Sequence, residues 1–246
     1  MRGSVAAATV VAATAKVDLS ACLPRKTVQQ FPKGSIIYSP EHPSHNLYLV
    51  TAGRVKVSSA LSHGVVVCSI VHQGGLFGES ALIGAEDRDE STLALDPVML
   101  MSWTRGEIEQ QVEANPRLGL ALSRYLAQQC LELNERMESL VVHKTPERVM
   151  LALAQFAHKA GVRTVDGASV RVESLTHQTL AEYVGTSREV VTFQLNRLRR
   201  LGLIDYSRKF IDISVEGVED AIRSATRGEL AATNGQMAAG AGSSSA

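Results

Sequence analysis

The sequence predicts an α+β protein in three parts: an N-terminal antiparallel β-sandwich or jelly roll, a long helix, and a C-terminal winged helix-turn-helix. Three observations carry this. Between Pro32 and Ser102, short β-rich runs are punctuated by Gly and Pro, a spacing that suits an antiparallel sandwich or barrel rather than alternating βα units. Between Pro116 and His143 the only helix breaker is Gly119, and Leu126, Cys130, Leu133, Met137 and Leu140 recur at 4-3-4-3 spacing, the apolar seam of a helix. Thr176 to Arg200 divides about Gly185 into two short amphipathic helices, the shape that lays its second helix in a DNA major groove.

Composition bounds what such a chain does. Its 246 residues, 45% of them hydrophobic, suffice for two cores. The formal net charge is zero, so a signal for nucleic acid has to be local. It is found from Thr186 to Lys209, where Arg188, Arg197, Arg199, Arg200, Arg208 and Lys209 face only Glu189 and Asp205. Cys22, Cys68 and Cys130 are scattered and form no CxxC pair, which suits a reducing cytoplasm and supplies no four-thiolate cluster. No apolar run approaches the ~18 residues of a membrane span. HExxH, GxSxG, Walker and GxGxxG motifs are absent from the sequence, so an enzyme is not expected.

Residues 1–16 read as a disordered leader, Ala/Val-rich behind Arg2 and interrupted by Thr9 and Thr14. Residues 17–106 read as an effector-type β-roll domain, opening with a short helix within Val17–Gln30. Its expected strands are Ser35–Tyr38, Leu47–Thr51, Arg54–Ser58, Val65–Val71, Thr92–Leu95 and Val98–Ser102, with Pro40, Pro43, Gly53, Gly64, Gly74, Gly75 and Pro97 between them. Residues 107–144 form the long helix, helical from Glu107, and its narrow seam fits a two-stranded homodimer interface. A new helix is expected at Thr145, with Thr145 as N-cap, Pro146 in the first turn and Glu147 close behind. This marks the boundary of a DNA-binding domain over 145–222, with His143–Pro146 as a hinge. Within it, Val149–His158 is amphipathic, Val162–Glu173 makes a hairpin around Asp166-Gly167, and Leu203–Tyr206 with Phe210–Ser214 makes a basic wing. Residues 223–246, ending in Ala, Gly and Ser, are expected to be a disordered tail.

The two-helix stretch yields a face directly. Leu180, Ala181 and Val184 mark the buried stripe of its first helix, Gly185 the turn, Ser187 the cap of the second, and Val191, Leu195 and Leu198 its buried stripe. Glu189, Phe193, Asn196 and Arg200 then point away from the core, and Arg188 reaches past the helix tip. Arg suits guanine O6/N7 and Glu suits the cytosine amino group. Arg188, Glu189, Thr192 and Phe193 are the candidate base readers. Thr176, Gln178, Ser187, Arg197 and Arg208 are candidate phosphate contacts, a role open to Thr192 as well.

Sandwich, long helix and winged reader, in this order, resemble the Crp/Fnr family of bacterial transcription regulators over roughly residues 32–215. The residues that carry the resemblance are Phe77-Gly78-Glu79-Ser80-Ala81-Leu82 and Gly185-Thr186-Ser187-Arg188-Glu189-Val190-Val191. Pro32 to Tyr38 and Leu47 to Val57 look like that family's opening strands. The resemblance implies a cyclic-nucleotide-binding-like roll, double-stranded DNA, a homodimer and RNA polymerase as partners, and a cytoplasmic protein. It implies base contacts by Arg188 and Glu189, and an Arg where this chain has Phe193, which suits a thymine methyl instead. His177 also replaces an expected Arg.

The family's cyclic-nucleotide cradle maps onto Gly78, Glu79, Ser80 and Arg88 of the roll, with Leu133 and Asn134 of the long helix, as a candidate effector pocket. Glu86, Asp87, Asp89 and Glu90 surround Arg88, and Leu133 removes half of the adenine-contacting pair. A cyclic nucleotide, another small ligand and no ligand all stay open, so no cofactor is assigned. Cys68 with His72, and His42 with His45, read as strand and loop residues rather than as haem or metal ligands. The alternative function is a cyclic-nucleotide-gated regulatory module acting through protein contacts. Arg188-Glu189 and the basic wing argue against it, because a protein contact needs no such charge layout.

Overall fold

A computed structural model of the chain describes residues 19–225, apart from 43, 63, 85–88, 166, 174 and 208. The described residues group into two units. One comprises those up to 142 together with 176–188; the other comprises 143–175 together with those from 189 onward.

The first unit holds strands β1 (Gln29–Phe31), β2 (Ile36–Tyr38), β3 (Asn46–Ala52), β4 (Val55–Leu61), β5 (Gly64–Val71), β6 (Leu76–Phe77), β7 (Glu90–Ala94) and β8 (Val98–Thr104). They form two four-stranded sheets, ordered β1-β8-β3-β6 and β2-β7-β4-β5, with every pairing antiparallel. This is the expected sandwich. Alternation along β3 shows how it is built. Tyr48 and Val50 enter a core with Tyr38, Val55, Val57, Phe77 and Leu100 between the sheets. Leu47 and Leu49 enter a second core with Leu19, Leu23, Trp103, Ile108, Leu118 and Leu122 beneath the helices. A strand covered on both faces reads as an unbroken apolar run.

The expected helix within Val17–Gln30 is not formed among the described residues. Leu23 N–H bonds to Leu19 carbonyl at 3.0 Å to give one turn. Pro24 cannot continue that turn, and Gln29–Phe31 pairs instead with β8. Strands β1 and β6, of three and two residues, are additions to the expected set.

Helix α1 (Arg105–Ala114) begins two residues before the expected Glu107, because Thr104 and Glu107 cap each other reciprocally. Asn115 closes α1 and Pro116 opens α2 (Pro116–Val142). Leu118 and Leu122 of α2 are buried. Farther along, Leu126 is half-buried and Cys130, Leu133, Met137 and Leu140 are exposed. The helix α4 (His177–Val184) groups with this unit. Glu182 pairs with Lys56 of β4 at 3.0 Å. Arg136 of α2 donates to the carbonyls of Val67, Cys68 and Tyr183 at 2.6–2.8 Å, with its guanidinium 4.3 Å from the centre of the Tyr183 ring.

The second unit holds α3 (Thr145–Ala160), β9 (Val162–Arg163), β10 (Val170–Glu173), α5 (Arg188–Arg200), β11 (Ile204–Tyr206), β12 (Phe210–Ile213) and α6, the described helix over 215–225. The two expected hairpins merge into one antiparallel sheet ordered β11-β12-β10-β9, joined through the β10–β12 pairing. Lys144, not Thr145, takes the cap position of α3. The Glu147 carboxylate accepts the Lys144 N–H at 3.0 Å, so the first turn is closed without a Thr145 cap. At the other end of α3, a Cβ on Gly161 would lie 2.0 Å from Cγ1 of Val170, so only glycine admits β10 this close. Val149, Leu153 and Phe156 of α3, Val191, Leu195 and Leu198 of α5, and Val218 and Ile222 of α6 are all buried.

Candidate nucleic-acid interface

Thr176 opens α4 as its N-cap: its hydroxyl accepts the Thr179 N–H at 3.0 Å and lies 2.9 Å from the Thr179 hydroxyl. Leu180, Ala181 and Val184 are buried, as their spacing required. The helix stops at Gly185, which takes a left-handed conformation with φ 74°, while the N–H groups of Gly185 and Thr186 both bond to Ala181 carbonyl. Gln178 is exposed and donates to Glu182 at 2.9 Å. Burial, and then the neighbouring Arg188 charge, hold the His177 imidazole below its usual range.

On α5, Val191, Leu195 and Leu198 are buried, and Gln194 joins them, a polar residue the apolar pattern did not mark. Arg188, Glu189, Phe193, Asn196, Arg197 and Arg200 are exposed, and Thr192 is half-buried. Phe193 keeps 60% of its surface exposed opposite the buried stripe. Glu189 lies in the first turn, where the helix dipole favours an acid. Ser187 immediately precedes the helix.

The wing follows. The Ser207 hydroxyl accepts the N–H of Lys209 at 3.1 Å and shapes the turn between β11 and β12. Arg208, a candidate phosphate contact, lies outside the described residues. Two cations here are engaged within the chain. Arg199 pairs with Asp205 at 2.9 Å and its guanidinium lies 5.3 Å from the centre of the Tyr206 ring. Arg171 makes a two-pronged bond to Asp212 at 2.6–2.7 Å and lies 3.7 Å from the centre of the Phe210 ring. The Tyr206 hydroxyl donates to Oδ1 of Asn196 at 2.7 Å, joining the wing to the exposed side of α5. No sequence pattern announces this last pair, because it joins two elements through a single hydroxyl.

The candidate effector residues sit on the first unit. Gly78, with φ 81°, turns the chain into a 3-10 helix, Glu79–Ile83. The Ser80 hydroxyl oxygen is buried without a hydrogen-bond partner among the described residues. Arg88 lies outside the described residues. Leu133, 52% exposed, and Asn134, also exposed, lie on α2. The Tyr125 hydroxyl, also on α2, accepts the Leu76 N–H at 2.8 Å and donates to the Leu76 carbonyl at 3.0 Å, clasping the strand that leads into Phe77-Gly78. Burial pushes this phenol well above its usual range, and the charges of Glu79 and Glu132 add to the effect. Inside the roll, Tyr38, Tyr48 and Phe77 stack with centroids 4.9–6.1 Å apart, and the Tyr38 hydroxyl donates to Glu90 at 2.5 Å.

Of the candidate cradle, the Gly78 turn and the Ser80 hydroxyl are described, and on α2 Leu133 offers nothing to a base edge.

Comparison with known proteins places both parts. The cyclic nucleotide-binding domain family matches residues 28–115, and the Crp-like helix-turn-helix domain family matches residues 147–220. The chain is 30% identical to the transcriptional regulator SdrP of Thermus thermophilus, over 73% of this chain and 85% of that protein. It is 28% identical to the global nitrogen regulator of a Nostoc species, over 76% of this chain and 84% of that protein. The crystal structure of TTHA1359, a CRP/FNR-family transcriptional regulator from Thermus thermophilus, is similar with a TM-score of 0.67 and 26% identity, covering 80% of this chain and 98% of that one.

Proposed function

The chain belongs to the Crp/Fnr family of transcription regulators, and from that premise we propose that it binds a palindromic DNA site as a homodimer. Arg188, Glu189, Thr192 and Phe193 read bases, and Thr176, Gln178, Ser187, Arg197 and Arg208 set the register on phosphates. The observation that carries this reading is the division of α5 into a fully buried apolar side and an exposed side bearing Arg188, Glu189 and Phe193. Two such helices, one per protomer, read half-sites about one DNA turn apart.

The pairing of protomers falls to the exposed part of α2. Cys130, Leu133, Met137 and Leu140, continuing from Leu126, form an apolar stripe without cover in the single chain. Its heptad spacing matches a parallel two-stranded contact. Residues 17–106 are the effector-type domain and 145–222 the DNA-binding domain; between them the dimerisation helix is α2 (Pro116–Val142), since the single helix expected over 107–144 is broken at Asn115. The break between α2 and α3, at His143 and Lys144, lies within the proposed hinge. RNA polymerase is the second macromolecular partner, and the cytoplasm the location. No cofactor is assigned to the roll, for which a cyclic nucleotide, another small ligand and no ligand stay open.

Selection of binding sites from random duplex DNA tests this reading. The full chain enriches an inverted repeat, and Arg188→Ala loses one guanine preference in each half with an affinity loss of about 1–3 kcal/mol per half-site. Enrichment of no sequence, or of a sequence unchanged by Arg188→Ala, sinks it. Phe193→Arg shifts preference at the position Phe193 contacts.

A further inference from the structure

We propose that Asn196 is a further sequence-reading residue, and that Tyr206 of the wing fixes its amide so that Nδ2 donates to an acceptor on a base edge. The inference rests on the reading of α5 as the DNA-reading helix. Asn196 lies on the exposed side of α5 with Glu189, Phe193 and Arg200. An unconstrained Asn amide carries an acceptor and a donor that exchange places by a flip, and its familiar bidentate contact with adenine uses both. Here the Tyr206 hydroxyl donates to Oδ1 at 2.7 Å. The oxygen is engaged from the protein side, and the two N–H groups of Nδ2 remain for the groove.

Tyr206 is itself firmly placed. It pairs in register with Ile211 across the wing, and its backbone N–H bonds to Asp205 at 2.9 Å. Asp205 also holds Arg199 at 2.9 Å, and that guanidinium lies 5.3 Å from the ring centre. The phenol is therefore carried by a paired strand, with the exposed Arg199–Asp205 pair beside its ring. With Oδ1 already accepting from the phenol, the amide meets the groove mainly through Nδ2, which favours the acceptors guanine O6 and N7 or thymine O4 over the amino groups of cytosine and adenine. Tyr206 is a positioning residue; Asn196 makes the contact.

The test is site selection followed by affinity measurement with the full chain and three variants, Asn196→Ala, Tyr206→Phe and Arg188→Ala. The wild type is expected to prefer guanine or thymine at one position per half-site beyond those lost in Arg188→Ala. Asn196→Ala weakens the selected site by about fivefold or more and erases that preference alone. Tyr206→Phe frees the amide to flip, so adenine becomes tolerated at that position while the rest of the site stays the same. Loss spread evenly over all sequences in Asn196→Ala assigns Asn196 to phosphate and overturns the inference, as does a wild-type preference for cytosine there. If Arg188→Ala changes the site and Asn196→Ala does not, only this inference falls. If the wild type selects no sequence, the reading of α5 falls and this inference falls with it. Thermal unfolding of each variant checks that the wing is intact; a Tyr206→Phe chain that folds and keeps the wild-type preference unchanged overturns the positioning role.

Discussion

On α5, one helix sets every relation that matters: Arg188, Glu189, Phe193 and Asn196 are exposed while Val191, Leu195 and Leu198 are buried. On the roll, the residues expected to meet a ligand come from separate elements. Gly78, Glu79 and Ser80 belong to the 3-10 turn, and Leu133 and Asn134 to α2. The first surface presents an Arg, an acid and an aromatic ring on one exposed side of a helix. The second is assembled from a turn and a distant helix, where Leu133 stands in place of half of the polar pair that the resemblance implies. The difference shows that a shared fold transmits a site only as far as the individual side chains allow. Here the helix face carries the side chains that the resemblance implies except at Phe193, and the roll departs from it at Leu133.

Leu133 gives the sharpest way to break that comparison, because it was a candidate both for the effector pocket and for the dimer seam. Its exposure beside Cys130, Met137 and Leu140 supports the seam. Leu133→Asp places a charge in a paired apolar stripe and is expected to give monomers in sedimentation. DNA affinity then falls about 100-fold or more, since each half-site has to be bound alone. A Leu133→Asp chain that stays dimeric and binds DNA normally returns Leu133 to the roll surface and removes the seam.

Tyr125→Phe comes next. It leaves the buried main chain of Leu76 without its hydroxyl partner, and an unpaired buried polar group costs about 1–3 kcal/mol. Denaturant unfolding is expected to show that loss, with base preference at Arg188 unchanged. A changed base preference with unchanged stability would mean that the roll and the reader are coupled through this clasp rather than merely stabilised by it.

Legibility followed the same division. The sandwich strands were readable because Gly and Pro separate them, and α2, α4 and α5 because their apolar residues repeat at helical spacing. Strands β1 and β6 were not, since two or three residues show no alternation. The expected helix near residue 20 failed because Pro24 outweighs the local apolar pattern. Within the candidate site, the exposed side of α5 followed from one helical wheel, including the anomaly at Phe193. The clasp of Tyr125 on Leu76, the triple carbonyl contact of Arg136 and the Tyr206–Asn196 bond were invisible. Each joins residues from different elements, and contacts between residues so far apart in sequence leave no periodic trace in a single chain.

A smaller effect is expected at His177. Its imidazole titrates below the usual range, first through burial and then through the Arg188 charge. The unfolded chain therefore binds the proton more readily than the folded one. Stability contributed by the neutral ring is present above the ordinary histidine value near 6.5 and is lost as pH falls through that value toward the lower folded one. His177→Gln is expected to flatten this part of the stability–pH curve without moving the Arg188 base preference. An unchanged curve would mean that His177 is solvated like an ordinary surface histidine.

The smallest expected effect is none, and it tests the comparison most directly. Titration of the full chain with cyclic AMP or cyclic GMP is expected to give no saturable heat, and DNA affinity with either nucleotide to stay within about twofold, because a ligand without differential affinity shifts no equilibrium. The physical ground is the acidic run Glu86, Asp87, Asp89 and Glu90 around Arg88 in the sequence, and Leu133 in place of half of the adenine-contacting pair. Replacing Glu90 by Ser removes one of those charges while leaving the Gly78 turn and the Ser80 hydroxyl in place. Binding that appears in Glu90→Ser but not in the wild type would assign the failure of the roll to charge. Saturable binding by the wild type, abolished in Glu79→Ala, would instead show that the roll carries as complete a set as the reader, and the contrast between the two surfaces would be lost.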